Sequence, residues 1–221
     1  MKITIIVDAF RAFATASYAL EKEPKNYYLT NSCARVSQLA QSAHDPLLIG
    51  KPEIGSILTY HIPNSPTRVK ETPILGRDVI HRTAAGALGI LKATDADLIL
   101  GASFVNADAT AAYVRLYKGA QVKIVPMGHE GTTPSFEDDL CAEYIDSLIR
   151  NEWKDLSPFI DKLKDGPGKY FFGEDQWQYP KEDFDLCIKT RRFPYVIVAK
   201  IQGNYACLKR VDVQLPQPYQ V

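Results

Sequence analysis

Ile3-Thr4-Ile5-Ile6-Val7-Asp8 opens the chain with a β-branched apolar run that stops abruptly at a carboxylate. Such a run suits a strand buried on both faces, and it puts Asp8 at that strand's C-terminal end. Working outward, Ala12 to Leu20 and Asn31 to Ala43 read as helices, the second opening with Asn-Ser and carrying Val36, Leu39 and Ala40 at helical spacing; Pro24 and its polar neighbours divide them. Leu47-Leu48-Ile49 is a second short strand ending at Gly50, and a Pro- and Gly-rich irregular stretch runs from Lys51 to Pro73. Asp78 to His81 reads as a strand, Ala84 to Ala93 as a helix, Leu98 to Leu100 as a strand, Asn106 to Lys118 as a helix closed by Gly119, and Val122 to Val125 as a strand. From Ser135, the apolar residues Leu140, Tyr144, Ile145, Leu148 and Ile149 recur at helical steps, so an amphipathic helix reaches about Asn151. Tyr170 to Pro180 is aromatic and polar without a period, a loop packed on the core. Tyr195 to Lys200 and Tyr205 to Lys209 flank Gln202-Gly203-Asn204 as a C-terminal β-hairpin.

Strands alternating with helices predict the α/β class, with a largely parallel or mixed sheet covered by helices in a three-layer α/β/α arrangement. The 221 residues suit one domain, 1–221, with a C-terminal subdomain from about residue 166 as the alternative division. Lys plus Arg equals Asp plus Glu at 26 each, so no global field favours nucleic acid or an anionic membrane. No apolar run approaches the roughly 18 residues of a membrane span, and the N-terminus lacks a signal-peptide pattern; a cytoplasmic protein is expected. The four cysteines stand far apart without a Cys-x-x-Cys pair, which leaves free, largely buried thiols. A homodimer is compatible with all of this.

Ligands of parallel α/β sheets bind beyond the C-terminal ends of the strands. There the chain places Asp8 and Arg11, then Thr83, then Ser103 and Asn106, then Gly128 to Asp139, and these groups converge if the strands lie side by side. Glu137-Asp138-Asp139 follows Ser135 at a helix start, where Ser135 as cap and Asp138 as its capping-box partner account for the acids structurally. The functional alternative gives Asp8 and one or two of these acids to Mg²⁺, which takes few carboxylates, several waters and often a substrate phosphate. Arg11 either forks onto an oxyanion or pairs with Asp8. Asn64-Ser65-Pro66 either offers an amide and a hydroxyl to a ligand or forms a turn. Thr83, Ser103 and Asn106 either cap the following helices or face an anion at the helix ends. His129-Glu130, between Gly128 and Gly131 after a strand, either serves as an acid or base or is a solvated loop pair, the commoner case. No Ser-His-Asp arrangement, Gly-x-Ser-x-Gly motif or Gly-rich nucleotide loop occurs.

Taken in order, Ile6-Val7-Asp8-Ala9-Phe10-Arg11-Ala12, Asn64-Ser65-Pro66, Gly101-Ala102-Ser103-Phe104-Val105-Asn106-Ala107, Ser135-Phe136-Glu137-Asp138-Asp139-Leu140-Cys141-Ala142 and Phe184-Asp185-Leu186-Cys187 resemble the 2-phosphosulfolactate phosphatase family over most of the chain. The resemblance implies an α/β, Mg²⁺-dependent phosphomonoesterase acting on a small anionic phosphorylated metabolite, a 2-hydroxy-acid phosphate, on the coenzyme M route. It makes Asp8, Glu137 and Asp138 the metal or catalytic acids. It counts Arg11 with the catalytic residues, and it has Arg11, Asn64, Ser65, Thr83, Ser103 and Asn106 contact substrate oxyanions or hold the loops that do so. The chain departs from the family at Phe13-Ala14-Thr15, where small hydroxyl residues are usual, and at Thr83-Ala84-Ala85-Gly86-Ala87, which lacks an amide and two hydroxyls. At Gly50-Lys51-Pro52-Glu53 a family acid is either replaced by Lys51 or displaced to Glu53. These departures motivate the alternative of a non-catalytic small-anion-binding protein on the same fold.

Overall fold

The computed structural model describes residues 1–52, 57–215 and 217; Glu53 lies outside them. The opening run forms β1 (Lys2–Val7) and is buried on both sides, with Ile3, Ile5 and Val7 in one core and Ile6 in another. α1 (Ala12–Glu21) follows. The segment that divides the first two expected helices holds a strand, β2 (Asn26–Thr30), with Tyr27 and Leu29 inward. α2 (Cys33–Ser42) begins after Ser32, whose Oγ accepts the Arg35 N–H at 3.3 Å. β3 (Leu47–Ile49) precedes the stretch expected to be irregular, which contains one short helix, α3 (Pro66–Glu71). Ser65 as cap and Pro66 in the first turn are the local signals that start that helix.

Next come β4 (Asp78–Arg82), α4 (Ala85–Lys92), β5 (Leu98–Ala102), a 3-10 turn at Phe104–Asn106 and α5 (Ala107–Val114). α5 stops short of the expected Lys118 because the N–H groups of Leu116 and Tyr117 bond three residues back, to Tyr113 and Val114 carbonyls, and tighten the chain into turns. β6 (Gln121–Pro126), α6 (Phe136–Ile149), α7 (Ile160–Asp165), α8 (Glu182–Ile188), β7 (Tyr195–Gln202) and β8 (Tyr205–Asp212) complete the chain. Among the described residues, no helix is long and apolar enough to cross a membrane.

The eight strands form one mixed sheet in the order β3-β4-β2-β8-β7-β5-β1-β6. The C-terminal hairpin is its centre: β7 pairs antiparallel with β5, and β8 antiparallel with β2. Two all-parallel triplets, β5-β1-β6 and β3-β4-β2, therefore flank the hairpin and run in opposite senses. α1, α3 and α4 cover one face, against residues such as Ile6, Leu29, Val79, Ile197 and Leu208. α5 and α6 cover the β1 half of the other face, while α2 closes over Leu48 and Ile80. All four cysteines are free.

Candidate active site beyond the end of β1

A cleft of about 590 Å³ opens where β1 and β6 end, lined by Asp8, Phe10 and Arg11, by Gly128 to Glu130, and by Ser135 to Asp138 at the start of α6. Asn64 borders it from the turn before α3, and Thr83 to Ala85 from the start of α4. Thr83 follows a strand of the oppositely directed triplet. Its approach fits a sheet whose neighbours turn by about 20–25° each, because the five steps from β1 to β4 accumulate about 100–125°. A larger groove of about 760 Å³ runs along β2, β7 and β8 and holds none of the candidate residues.

Three carboxyls converge on the cleft. Asp8 is buried, and its Oδ1 accepts the Ala12 N–H at 3.1 Å. Burial pushes its pKa up to about 6 against the pull of the Ala12 and Gly86 N–H groups, with repulsion from Glu137 adding and the Arg11 charge subtracting. Asp138 is also buried, and both of its oxygens are engaged by backbone: Oδ1 accepts Ala9 N–H at 2.7 Å and Oδ2 accepts Gly128 N–H at 2.8 Å. Burial first, then Asp8, raises it well above the usual carboxylate range. Glu137 is raised chiefly by burial, and its buried Oε2 has no hydrogen-bond partner. The capping explanation of this cluster is thereby corrected: Ser135 makes no side-chain cap bond, and Asp138 reaches the β1 and β6 loops, not its own helix end. A sequence-local motif loses here to donors delivered by two other strands.

Asp138 is thus a clasp between the ends of β1 and β6. Its Gly128 donor has φ +65°, and a Cβ there would lie 2.1 Å from the Thr133 carbonyl oxygen, so only glycine fits. Gly86 performs a similar service for Asp8, since a Cβ would come to 3.0 Å from Asp8 Oδ2.

Arg11 is not paired with Asp8, as the structural reading had it. Its Nη1 donates to Asp183 Oδ2 and to the Gln178 carbonyl, each at 2.8 Å, in an ion pair buried on both sides. The guanidinium carbon lies 4.8 Å from the Tyr179 ring centroid and 5.7 Å from that of Phe171. The Phe10–Arg11 peptide bond is cis. Asp183 also accepts from Ser65 Oγ at 2.9 Å and from Thr67 N–H at 2.8 Å. Ser65 is consequently a buried helix cap tied to Asp183, whereas its neighbour Asn64 borders the cleft with Oδ1 unpartnered.

Ser103 and Asn106 are fully buried and do not line the cleft. The Asn106 amide accepts from Ser103 N–H at 2.9 Å and donates to the Gly101 carbonyl at 3.1 Å, which closes the turn after β5. The segment read as a loop, Tyr170 to Pro180, supplies the far wall together with the residues just before it: Gly166, Pro167, Lys169, Tyr170 and Tyr179 all line the cleft. Asp183 and this wall escaped sequence reasoning. The available signal was the density of aromatic residues from Tyr170 to Tyr179 followed by an acid.

A family model described as 2-phosphosulpholactate phosphatase matches residues 1–166. This chain belongs to that family. It is similar to the probable 2-phosphosulfolactate phosphatase of Bacillus subtilis (strain 168), at 27% identity over 216 residues, 96% of this chain and 92% of that protein. The probable 2-phosphosulfolactate phosphatase of Caldicellulosiruptor saccharolyticus is 29% identical over 163 residues, 72% of this chain and 66% of that protein. The 2-phosphosulpholactate phosphatase family is one of phosphomonoester hydrolases. The matched stretch carries Asp8, Arg11, Asn64, Thr83, Glu137 and Asp138, whereas most of the far wall and Asp183 follow it.

Phosphatase chemistry in this family points to a divalent metal. Among the described residues, no three His, Cys, Asp or Glu side chains form a ready metal cage. The donor chemistry nonetheless suits a hard cation that keeps most of its waters: the cleft offers Asp8, the unpartnered Oε2 of Glu137 and the unpartnered Oδ1 of Asn64, all oxygen. Asp138 has both oxygens taken by N–H donors, which suits it to holding the loops.

Proposed function

We propose that this chain is a Mg²⁺-dependent phosphatase that hydrolyses a phosphomonoester of a small 2-hydroxy acid, such as the 2-phosphosulfolactate named for its relatives. The observation that carries this reading is the juxtaposition in one cleft of two buried carboxyls, Asp8 and Asp138, and the half-buried Glu137, with an arginine whose counter-ion lies outside the carboxyl cluster. Burial and mutual repulsion raise the pKa of all three acids, and a bound cation would favour their ionised forms. Asp8 and Glu137 would hold it. Bound Mg²⁺ would draw charge from phosphoryl oxygens and acidify a bound water.

The chain's own groups do the rest. Asp138 fixes the loops after β1 and β6 through Ala9 and Gly128. Arg11 spends Nη1 on Asp183 and Gln178 and keeps its Nη2–Nε edge for an oxyanion, which a guanidinium can grip with two parallel bonds. Asn64 adds an amide at the rim. A volume of about 590 Å³ suits a small metabolite. The methyl groups of Ala84 and Ala85 border the cleft. They support a second reading, a small-anion-binding protein without turnover.

Phosphate release from a panel of 2-hydroxy-acid phosphates, including 2-phosphosulfolactate, separates the two. Release that needs Mg²⁺, stops with chelator and falls by at least roughly a hundredfold in Asp8→Asn and Glu137→Gln is expected. Full activity in both variants refutes the site. Ligand-dependent thermal stabilisation with no release in the wild type supports the binding protein.

A further inference from the structure

We propose that Asp183 is a positioning residue for Arg11, delivered by the C-terminal segment that walls the cleft, and that it fixes which edge of the guanidinium is left for the substrate's oxyanion. The inference rests on the phosphatase reading of the same cleft. Asp183 is fully buried on α8, 172 residues from its partner, and its Oδ2 takes Arg11 Nη1 at 2.8 Å. Gln178 O takes the same nitrogen at 2.8 Å, which uses both of its hydrogens. Nη2 and Nε have no hydrogen-bond partner among the described residues, and Arg11 lines the cleft. Tyr179 and Phe171 hold the guanidinium through their rings.

The carboxylate is itself immobilised. Its Oδ1 accepts from Ser65 Oγ and Thr67 N–H at the start of α3, so Arg11 is referred to the same turn that presents Asn64 to the cleft. The wall segment is anchored next to it: Arg68 of α3 donates to Gln176 O at 2.9 Å and lies 4.7 Å from the Trp177 ring centroid. A free arginine would sample many rotamers, whereas this one has its reach and its open edge set before substrate arrives. Pre-organisation of this kind acts on substrate affinity.

The test compares Asp183→Asn with Asp108→Asn, which breaks a different, partly buried pair, to Arg191 at 2.9 Å, away from the cleft. With 2-phosphoglycolate as substrate, Asp183→Asn is expected to raise KM roughly ten- to a hundredfold with kcat within about threefold. Asp108→Asn is expected to lose a similar amount of Tm with KM unchanged. KM within about twofold of wild type in Asp183→Asn would make the residue merely structural and overturn the proposal. If Asp183→Asn does not fold, Tyr179→Leu decides: KM rises several-fold, Tyr179→Phe restores it, and no rise in the Leu variant is the overturning result. Absence of turnover in wild type with Mg²⁺ across the whole panel of 2-hydroxy-acid phosphates refutes the phosphatase reading alone. The calorimetric affinity for 2-phosphoglycolate, compared across the same variants with the same thresholds, then replaces KM.

Discussion

Replacing His81 by Gln should remove a defined part of the pH dependence of stability. His81 is fully buried in β4, its Nδ1 lies 2.8 Å from the Tyr27 hydroxyl, and its Nε2 has no partner. Burial, and secondarily the charge of Arg11, pushes its pKa down from 6.5 to about 3. The folded protein therefore keeps His81 neutral at pH values where the unfolded chain protonates it. Stability is lost as pH falls through about 6.5 and continues to fall until about 3. From about pH 7.5 to about pH 5 the loss attributable to this one ring is about 2 kcal/mol, one and a half pH units at about 1.4 kcal/mol each.

Asp8 works the other way over part of that range. Its pKa, raised to about 6, makes the folded state the better proton binder between about pH 6 and about pH 4, and stability rises there on acidification. The raw profile consequently mixes opposing trends, and only the difference between wild type and His81→Gln isolates the histidine. Urea unfolding followed by far-UV circular dichroism at several pH values gives that difference. The stability gap between the two proteins should shift by about 2 kcal/mol in favour of the variant on going from about pH 7.5 to about pH 5. Parallel profiles would refute the reasoning and place a proton, or an accessible solvent path, on His81 in the folded state.

Gly128→Ala places a methyl 2.1 Å from the Thr133 carbonyl oxygen at φ +65°. It should destabilise by about 1–3 kcal/mol and, by moving the Gly128 donor from Asp138, lower phosphate release more than stability explains; urea midpoints and kcat/KM on one preparation check both. Phe13→Ala empties a fully buried ring position in α1, against which a Cβ on Gly101 would come to 2.5 Å. A loss of about 3–5 kcal/mol is expected in equilibrium unfolding, and a loss under about 1 kcal/mol would show that the core recloses around the gap.

The α/β class was legible because strand and helix formation depend on periodicity within a few residues: the run Ile3 to Val7 and the stripe Leu140, Tyr144, Ile145, Leu148 need no distant partner to declare themselves. β2 was harder to see. Asn26-Tyr27-Tyr28-Leu29-Thr30 is short and follows a proline-containing turn, and it becomes a strand through β4 on one side and β8 on the other. The acids Asp8, Glu137 and Asp138 were visible because they sit directly at element ends. The capping-box reading of Asp138 failed since its real donors, Ala9 and Gly128, arrive from a different strand end and a preceding loop.

What the sequence by itself determined is therefore most of the elements, though not β2, α3 or α7, together with the acids at their ends and the hairpin Tyr195 to Asp212 as a local unit. Tertiary structure alone decided that this hairpin lies at the centre of the sheet, that the two parallel triplets run in opposite senses, and that Arg11 answers to Asp183 across 172 residues. The reason is physical. A buried arginine must have a buried carboxylate, but the sequence holds many acids, and which one reaches it is set by the packing of α8 against α3, not by any local pattern.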